Sequence, residues 1–115
     1  MINAKFNLVI LVLDPSVNRY KILSSKPDDL QLPYLDIESN LDIDSCLNHL
    51  VSTKIEKNDS YLNFRLTDVE LSEMLEIYYL VFITYESVVK DGFLLDIQPS
   101  LIRLPNNAKK ILTLL

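Results

Sequence analysis

From Leu32 to Lys57 the chain reads LPYLDIESNLDIDSCLNHLVSTKIEK. Ile43, Cys46, Leu47, Leu50 and Val51 recur at spacings of three and four, which places them on one buried stripe of an amphipathic helix. Ser39 or Asn40 can cap its start, and Asp42 and Asp44 stand in its first turn, where negative charge suits the helix dipole. Lys54 and Lys57 lie near its end, where positive charge is favoured. The polar run Lys57-Asn58-Asp59-Ser60 breaks it. Ahead of the helix, Leu32-Pro33 opens a short loop that carries Glu38. The stretch is an apolar entry, a polar loop and a helix in sequence.

On the N-terminal side, Phe6–Leu13 is an almost unbroken run of Val, Ile and Leu, predicting a strand buried on both faces. Asp14-Pro15-Ser16-Val17-Asn18 is a turn, since Pro presets φ and Asp and Asn bond their own backbone. Arg19–Ser24 pairs back as a second strand. Lys26-Pro27-Asp28-Asp29 is a polar break, and Leu30–Leu32 is read as a short strand before Pro33. On the C-terminal side, Tyr61–Leu66 alternates, with Leu62, Phe64 and Leu66 on one face. Thr67–Glu73 reads equally as a loop or a helical turn. Met74–Tyr85 (MLEIYYLVFITY) is the most apolar segment and is expected to be the central strand. Glu86–Gly92 turns, Phe93–Ile97 forms a further strand that Pro99 ends, and Asn106–Leu115 closes the chain as a helix. Its inward residues are expected to be Ile111, Leu112 and Leu115.

The 32–57 segment resembles the signature box of the Nudix hydrolases, and the order of elements around it is similar to that of a small Nudix domain. Aligned without gaps, Leu32-Pro33 match the start of the box and Glu38 matches one loop acid. The two box glycines fall on Tyr34 and Leu35, and the four acidic positions on Leu41, Leu50, Thr53 and Lys54. The box arginine falls on His49 and the late glycine on Glu56. The resemblance therefore implies a Nudix-like fold whose catalytic groups are missing. Hydrolysis of a nucleoside diphosphate derivative needs divalent metal to neutralise phosphate charge and activate water. Magnesium takes hard oxygen ligands in near-octahedral geometry. Leucine cannot ligate it, threonine ligates it poorly, and a lysine places positive charge where the cation would sit. Tyr34 and Leu35 add bulk where glycine permits a sharp turn.

A chain of 115 residues fits one domain spanning 1–115, long enough for a hydrophobic core. Its 49% apolar and 23% charged content is an ordinary globular balance. The net charge of −5 argues against nonspecific nucleic-acid binding. One Gly and two Ala amid abundant Leu, Ile, Asn, Lys and Asp suggest AT-rich coding, compatible with a bacteriophage or an AT-rich bacterium. The lone Cys46 has no disulfide partner and sits on the helix's apolar stripe, as a structural thiol does. The run Leu8–Leu13 is too short for a signal peptide or a membrane span.

No other constellation carries chemistry. His49 is the single histidine and sits at the edge of the apolar stripe, as a boundary residue does. Asp36, Glu38, Asp42 and Asp44 form an acidic group, but Asp42 and Asp44 point apart on a helix and serve its N-terminus. No Ser or Cys has a plausible base. On a strand, Tyr78, Leu80 and Phe82 face one way and Tyr79, Val81, Ile83 and Tyr85 the other. Tyrosines in that pattern suit core packing with hydroxyls at the rim first, and a partner-binding interface second.

These readings give an α/β domain with a mixed β-sheet flanked by helices, a Nudix-like α/β/α sandwich. The expected function is non-catalytic: a protein-interaction or structural subunit of a larger homo- or hetero-oligomeric assembly. A virion component is its narrower form, and the expected location is the cytoplasm, or the virion if phage-encoded. Partners are other protein subunits, with no direct nucleic acid, membrane, cofactor or metal and no catalytic residue. Partner contact is assigned to Tyr34 and Leu35, expected to project together into the former substrate cleft, and to Tyr79 and Tyr85. Two alternatives remain. One is a nucleotide-binding regulator. The other is a divergent metal-dependent hydrolase drawing on Glu38, Asp36 and Glu73 or Glu76.

Overall fold

A computed structural model describes residues 4–37, 42–57, 62–84 and 87–115. The apolar run near the N-terminus forms β1 (Ala4–Asp14), the axis of the main sheet. Leu8 to Leu11 are wholly buried, the signature of a strand covered on both faces. The N-terminal half of β1 pairs antiparallel with β3 (Tyr34–Ile37), and its C-terminal half pairs antiparallel with β2 (Arg19–Ser24). Along its other edge it runs parallel to β6 (Leu75–Ile83). β5 (Arg65–Leu71) lies antiparallel on β6 and forms one end of the sheet; β8 (Phe93–Leu95) lies on β2 and forms the other. The most apolar segment is thus a strand next to the centre, while β1 takes the centre itself.

Helix α1 (Ile43–Lys54) begins later than a cap at Ser39 or Asn40 would place it. Asp42 caps it, accepting from Asp44 N at 3.1 Å and from Ser45 Oγ at 2.9 Å. Ser39 and Asn40 lie outside the described residues. Leu47, Leu50 and Val51 are buried and Ile43 packs against the same cluster, as the spacing required; Cys46 is half-buried. The helix stops at Lys54 because β4 (Ile55–Lys57) pairs with β7 (Ser87–Val89), so Lys57 belongs to a strand. Lys90 N and Asp91 N both donate to the Lys54 carbonyl, at 2.8 and 3.2 Å. Gly92 completes that turn with φ of +124°, and a Cβ there would stand 3.0 Å from the Ser24 carbonyl oxygen. The chain's one glycine occupies a position that needs one.

On the opposite face, α2 (Ile97–Ser100), a 3-10 turn (Leu101–Arg103) and α3 (Asn106–Thr113) cover the second core. Strand alternation feeds both layers: Leu8, Ile10 and Val12 pack toward α1, Val9 and Leu11 toward α3. The result is a mixed sheet flanked by helices, as the sequence predicted; the short α2 is an addition to the two helices it foresaw.

Several local expectations shift. Residues 30–32 form no strand; the third strand begins after Pro33, whose carbonyl accepts from Leu8 N at 2.9 Å. The strand expected at 61–66 starts at Arg65 and absorbs the ambiguous segment through Leu71, leaving Leu66 exposed. Pro99 sits inside the short α2 rather than ending a strand at Ile97, and Leu115 is exposed while Leu112 is buried. Ser24 shapes the loop after β2: its buried hydroxyl donates to Asp29 O and accepts from Lys26 N and Gln31 N, all within 3.1 Å.

Candidate partner-binding face

Strand register assembles an apolar face from residues far apart in sequence. Leu35 (β3), Phe6 (β1), Ile77 (β6) and Val69 (β5) form one row across four strands. Ala4, Leu75 and Leu71 form the next row, and Leu8, Tyr79 and Leu66 the row on the other side. All point to the α1 side of the sheet, the side to which Leu8, Leu35 and Tyr79 belong. Exposure climbs steadily toward the sheet end: Phe6 is 5% exposed, Ile77 half-buried, Val69 58% and Leu71 78% exposed. The helix covers the inner part of this face and leaves the outer part open. Tyr79 stacks on Phe6 with ring centroids 6.1 Å apart. Burial, followed by the Asp44 carboxylate, pushes the Tyr79 phenol up.

The reverse side of the same strands is charged. Asp36, Lys5, Glu76 and Glu70 form a single row across β3, β1, β6 and β5. Lys5 Nζ stands 3.8 Å from Glu76 Oε1 and 4.4 Å over the Tyr34 ring, a cation–π contact. Asn7 Nδ2 donates to Glu76 at 3.5 Å. Tyr78, on this side, is pushed up to about 12, chiefly by burial and then by Glu76, Glu70 and Asp68. Asp68 itself is buried and caps α3, accepting from Asn107 N and Ala108 N at 3.0 Å each.

The sequence-assigned residues therefore divide. Leu35 and Tyr79 share the apolar face. Tyr34 does not join them: neighbouring residues of a strand point to opposite faces, so Tyr34 lies over Lys5 while Leu35 enters the α1 core. The expectation that Tyr34 and Leu35 project together into one cleft is corrected on that ground. Tyr85 lies outside the described residues, as do Glu38 and Leu41. Val69, Leu71, Leu75 and Ile77 were missed. Their signal was the alternation of Val69, Leu71 and, across the bend, Leu75 and Ile77, obscured because 67–73 also reads as a loop.

Of the positions aligned with the Nudix box, those among the described residues hold structural places. Leu50 is buried within the α1 core. Thr53 Oγ1 donates to the Leu50 carbonyl at 2.7 Å, and Lys54 Nζ pairs with Asp91 at 2.8 Å. Tyr34 and Leu35 lie in β3 rather than a turn, and Glu56 lies in β4. Asp36 and Glu76 flank Lys5, whereas Glu73 is exposed in the bend before β6. Among the described residues, no group of three or more His, Cys, Asp or Glu is placed to hold a metal ion. A groove of about 580 Å³ lies on the α3 side, lined by Asn18, Arg19, Tyr20, Lys21, Asp96 and Gln98 among others. Lys21 there stands 3.7 Å from Asp14 and 3.9 Å from Asp96. Among the described residues no helix is long and apolar enough to cross a membrane.

No protein-family model matches the chain, and no curated protein matches it. Among solved structures, the NUDIX domain of Shewanella oneidensis NrtR, in complex with ADP ribose, superposes with a TM-score of 0.62. The match covers 100% of this chain and 90% of that one, at 11% sequence identity. The fold is Nudix-like. At that identity the likeness concerns the path of the backbone.

Proposed function

We propose that this Nudix-like domain is a non-catalytic subunit that binds another protein through the apolar sheet face beside α1. The observation that carries this reading is the pair of apolar rows ending in Val69 and Leu71, open to solvent on an end strand. Contiguous exposed apolar area of this kind marks association sites in soluble proteins. Burying it on a partner would release the water now ordered over it, at about 25 cal/mol per Å². Leu35 and Tyr79 form its inner border, and Val69, Leu71, Leu75 and Ile77 its floor. A place within a larger assembly follows from the same surface. The occupied box positions support the non-catalytic part: a leucine in the core and a lysine held by Asp91 offer no carboxylate to a metal.

An environment-sensitive apolar dye tests the surface. The native chain should bind it with enhanced fluorescence, and the Val69→Asp/Leu71→Asp double variant should bind distinctly less while melting at the same temperature. Equal dye binding by both proteins would remove the face from consideration.

A second reading, a nucleotide-binding regulator, draws on one observation: the superposing Nudix domain was solved with ADP ribose. ADP ribose added to this chain at millimolar concentration would then raise the melting temperature in a saturable way. The primary reading predicts no shift.

A further inference from the structure

We infer that the partner adds a β-strand to the free edge of β5, and that the added segment alternates apolar with basic residues. This rests on the partner-binding reading above and specifies its chemistry. Among the described residues β5 pairs on one side only, with β6, and no other backbone group bonds to Arg65–Leu71. An edge strand presents outward-pointing N–H and C=O groups that template a further strand. The two faces of the sheet then dictate the side chains of that strand, because cross-strand neighbours on one face interact directly. On the α1 side the apolar rows end at Val69 and Leu71, so the next residue in each row is apolar. On the reverse side the row Asp36, Lys5, Glu76, Glu70 ends in two carboxylates facing each other across β5 and β6. Only Lys5 stands in that row to offset them, and among the described residues no cation lies within salt-bridge distance of Glu70. A Lys or Arg beside Glu70 completes the alternation of charge. Burial first, and after it the Glu76, Glu70 and Asp68 carboxylates, raise the Tyr78 phenol beside this row.

A second copy of the chain fits this edge less well. Pairing β5 with itself would centre on the bulge between Leu66 and Asp68, and bulges oppose edge-to-edge pairing. There the Thr67 carbonyl accepts from Asn107 Nδ2 at 3.1 Å, and the Asp68 carboxylate is committed to α3. Each copy also carries a net charge of −5. The straight part, Asp68–Leu71, remains for a partner of opposite charge.

Three capped eight-residue peptides provide the probes: alternating Val and Lys, alternating Val and Glu, and four Val followed by four Lys. Each is titrated by fluorescence anisotropy into the full chain and its Glu70→Lys and Leu71→Asp variants, with amide NMR shifts locating the contact. Binding of the Val/Lys alternation ahead of both other peptides is expected, with shifts at 68–71. Glu70→Lys should weaken that peptide about two- to fivefold and strengthen the Val/Glu peptide, the range of one exposed charge pair. Leu71→Asp should weaken both alternating peptides. Equal binding of alternating and block peptides, indifference to Glu70→Lys, or no binding at all would overturn strand addition. Concentration-dependent dimerisation abolished by Leu71→Asp would overturn it in favour of a second copy. If peptide selectivity is absent while the dye still distinguishes the double variant, the mode of binding fails and the apolar face stands. If the dye also fails to distinguish them, the face itself is wrong.

Discussion

At the scale of single residues, Leu50 states most directly what the fold has done with the box helix. It packs among Leu47, Val51 and the strand residues of the α1 core. Restoring a carboxylate by Leu50→Glu would therefore bury an unpaired charge rather than rebuild a ligand set. The expected loss is on the order of 3–5 kcal/mol, read from urea unfolding. A variant as stable as the native chain would mean that the position opens to solvent. Tyr78 yields a second expectation. Its folded pKa, raised to about 12, exceeds the ordinary tyrosine value near 10. The folded state therefore holds the phenolic proton more tightly than the unfolded chain does. The associated stability is fully present below pH 10 and is lost as pH rises through about 12. Melting temperature followed from pH 9 to 12 should fall more steeply for the native chain than for Tyr78→Phe; parallel curves would remove the shift.

At the scale of elements, legibility in the sequence followed how strongly one physical signal dominated each segment. β1, β2, α1 and α3 were readable because apolar periodicity, turn chemistry and end charges agreed. β5 was not, since its exposed apolar residues serve no core and its bulge between Leu66 and Asp68 breaks strict alternation. The start of the third strand was misplaced because Pro33 seemed to end a strand. In the structure it contributes only a carbonyl, and the strand follows it. The join between β5 and α3 rests on the Asp68 carboxylate, which accepts from two backbone N–H groups at the helix start. Asp68→Ala should cost about 1–3 kcal/mol, since those donors would be left buried and unpaired. Calorimetry on the two proteins checks this, and an unchanged melting temperature would show that water replaces the carboxylate. Gly92→Ala should likewise destabilise, because its φ and its approach to the Ser24 carbonyl exclude a side chain.

At the scale of the whole molecule, the two faces of the sheet tell different stories. Each half of the sandwich has its own buried cluster, yet Val69 and Leu71 stay exposed on the α1 side of β5 while α3 is tied to β5 through Asp68. The candidate site could not be read in full from the sequence because it is made by register: Leu35, Phe6, Ile77 and Val69 meet only when four strands align. Leu35 and Tyr79 share this face, whereas Tyr34 faces the other way because strand alternation separates it from its neighbour. The Nudix-like fold supplies the frame, and the proposed role uses that frame for binding without hydrolysis. The decisive measurement is a hydrolysis screen of the purified chain over nucleoside diphosphate derivatives, supplemented with magnesium and with manganese, alongside its Glu38→Gln variant. The account predicts no turnover by either protein across the panel. Metal-dependent turnover by the native chain that disappears in Glu38→Gln would contradict it and make this an enzyme with relocated ligands.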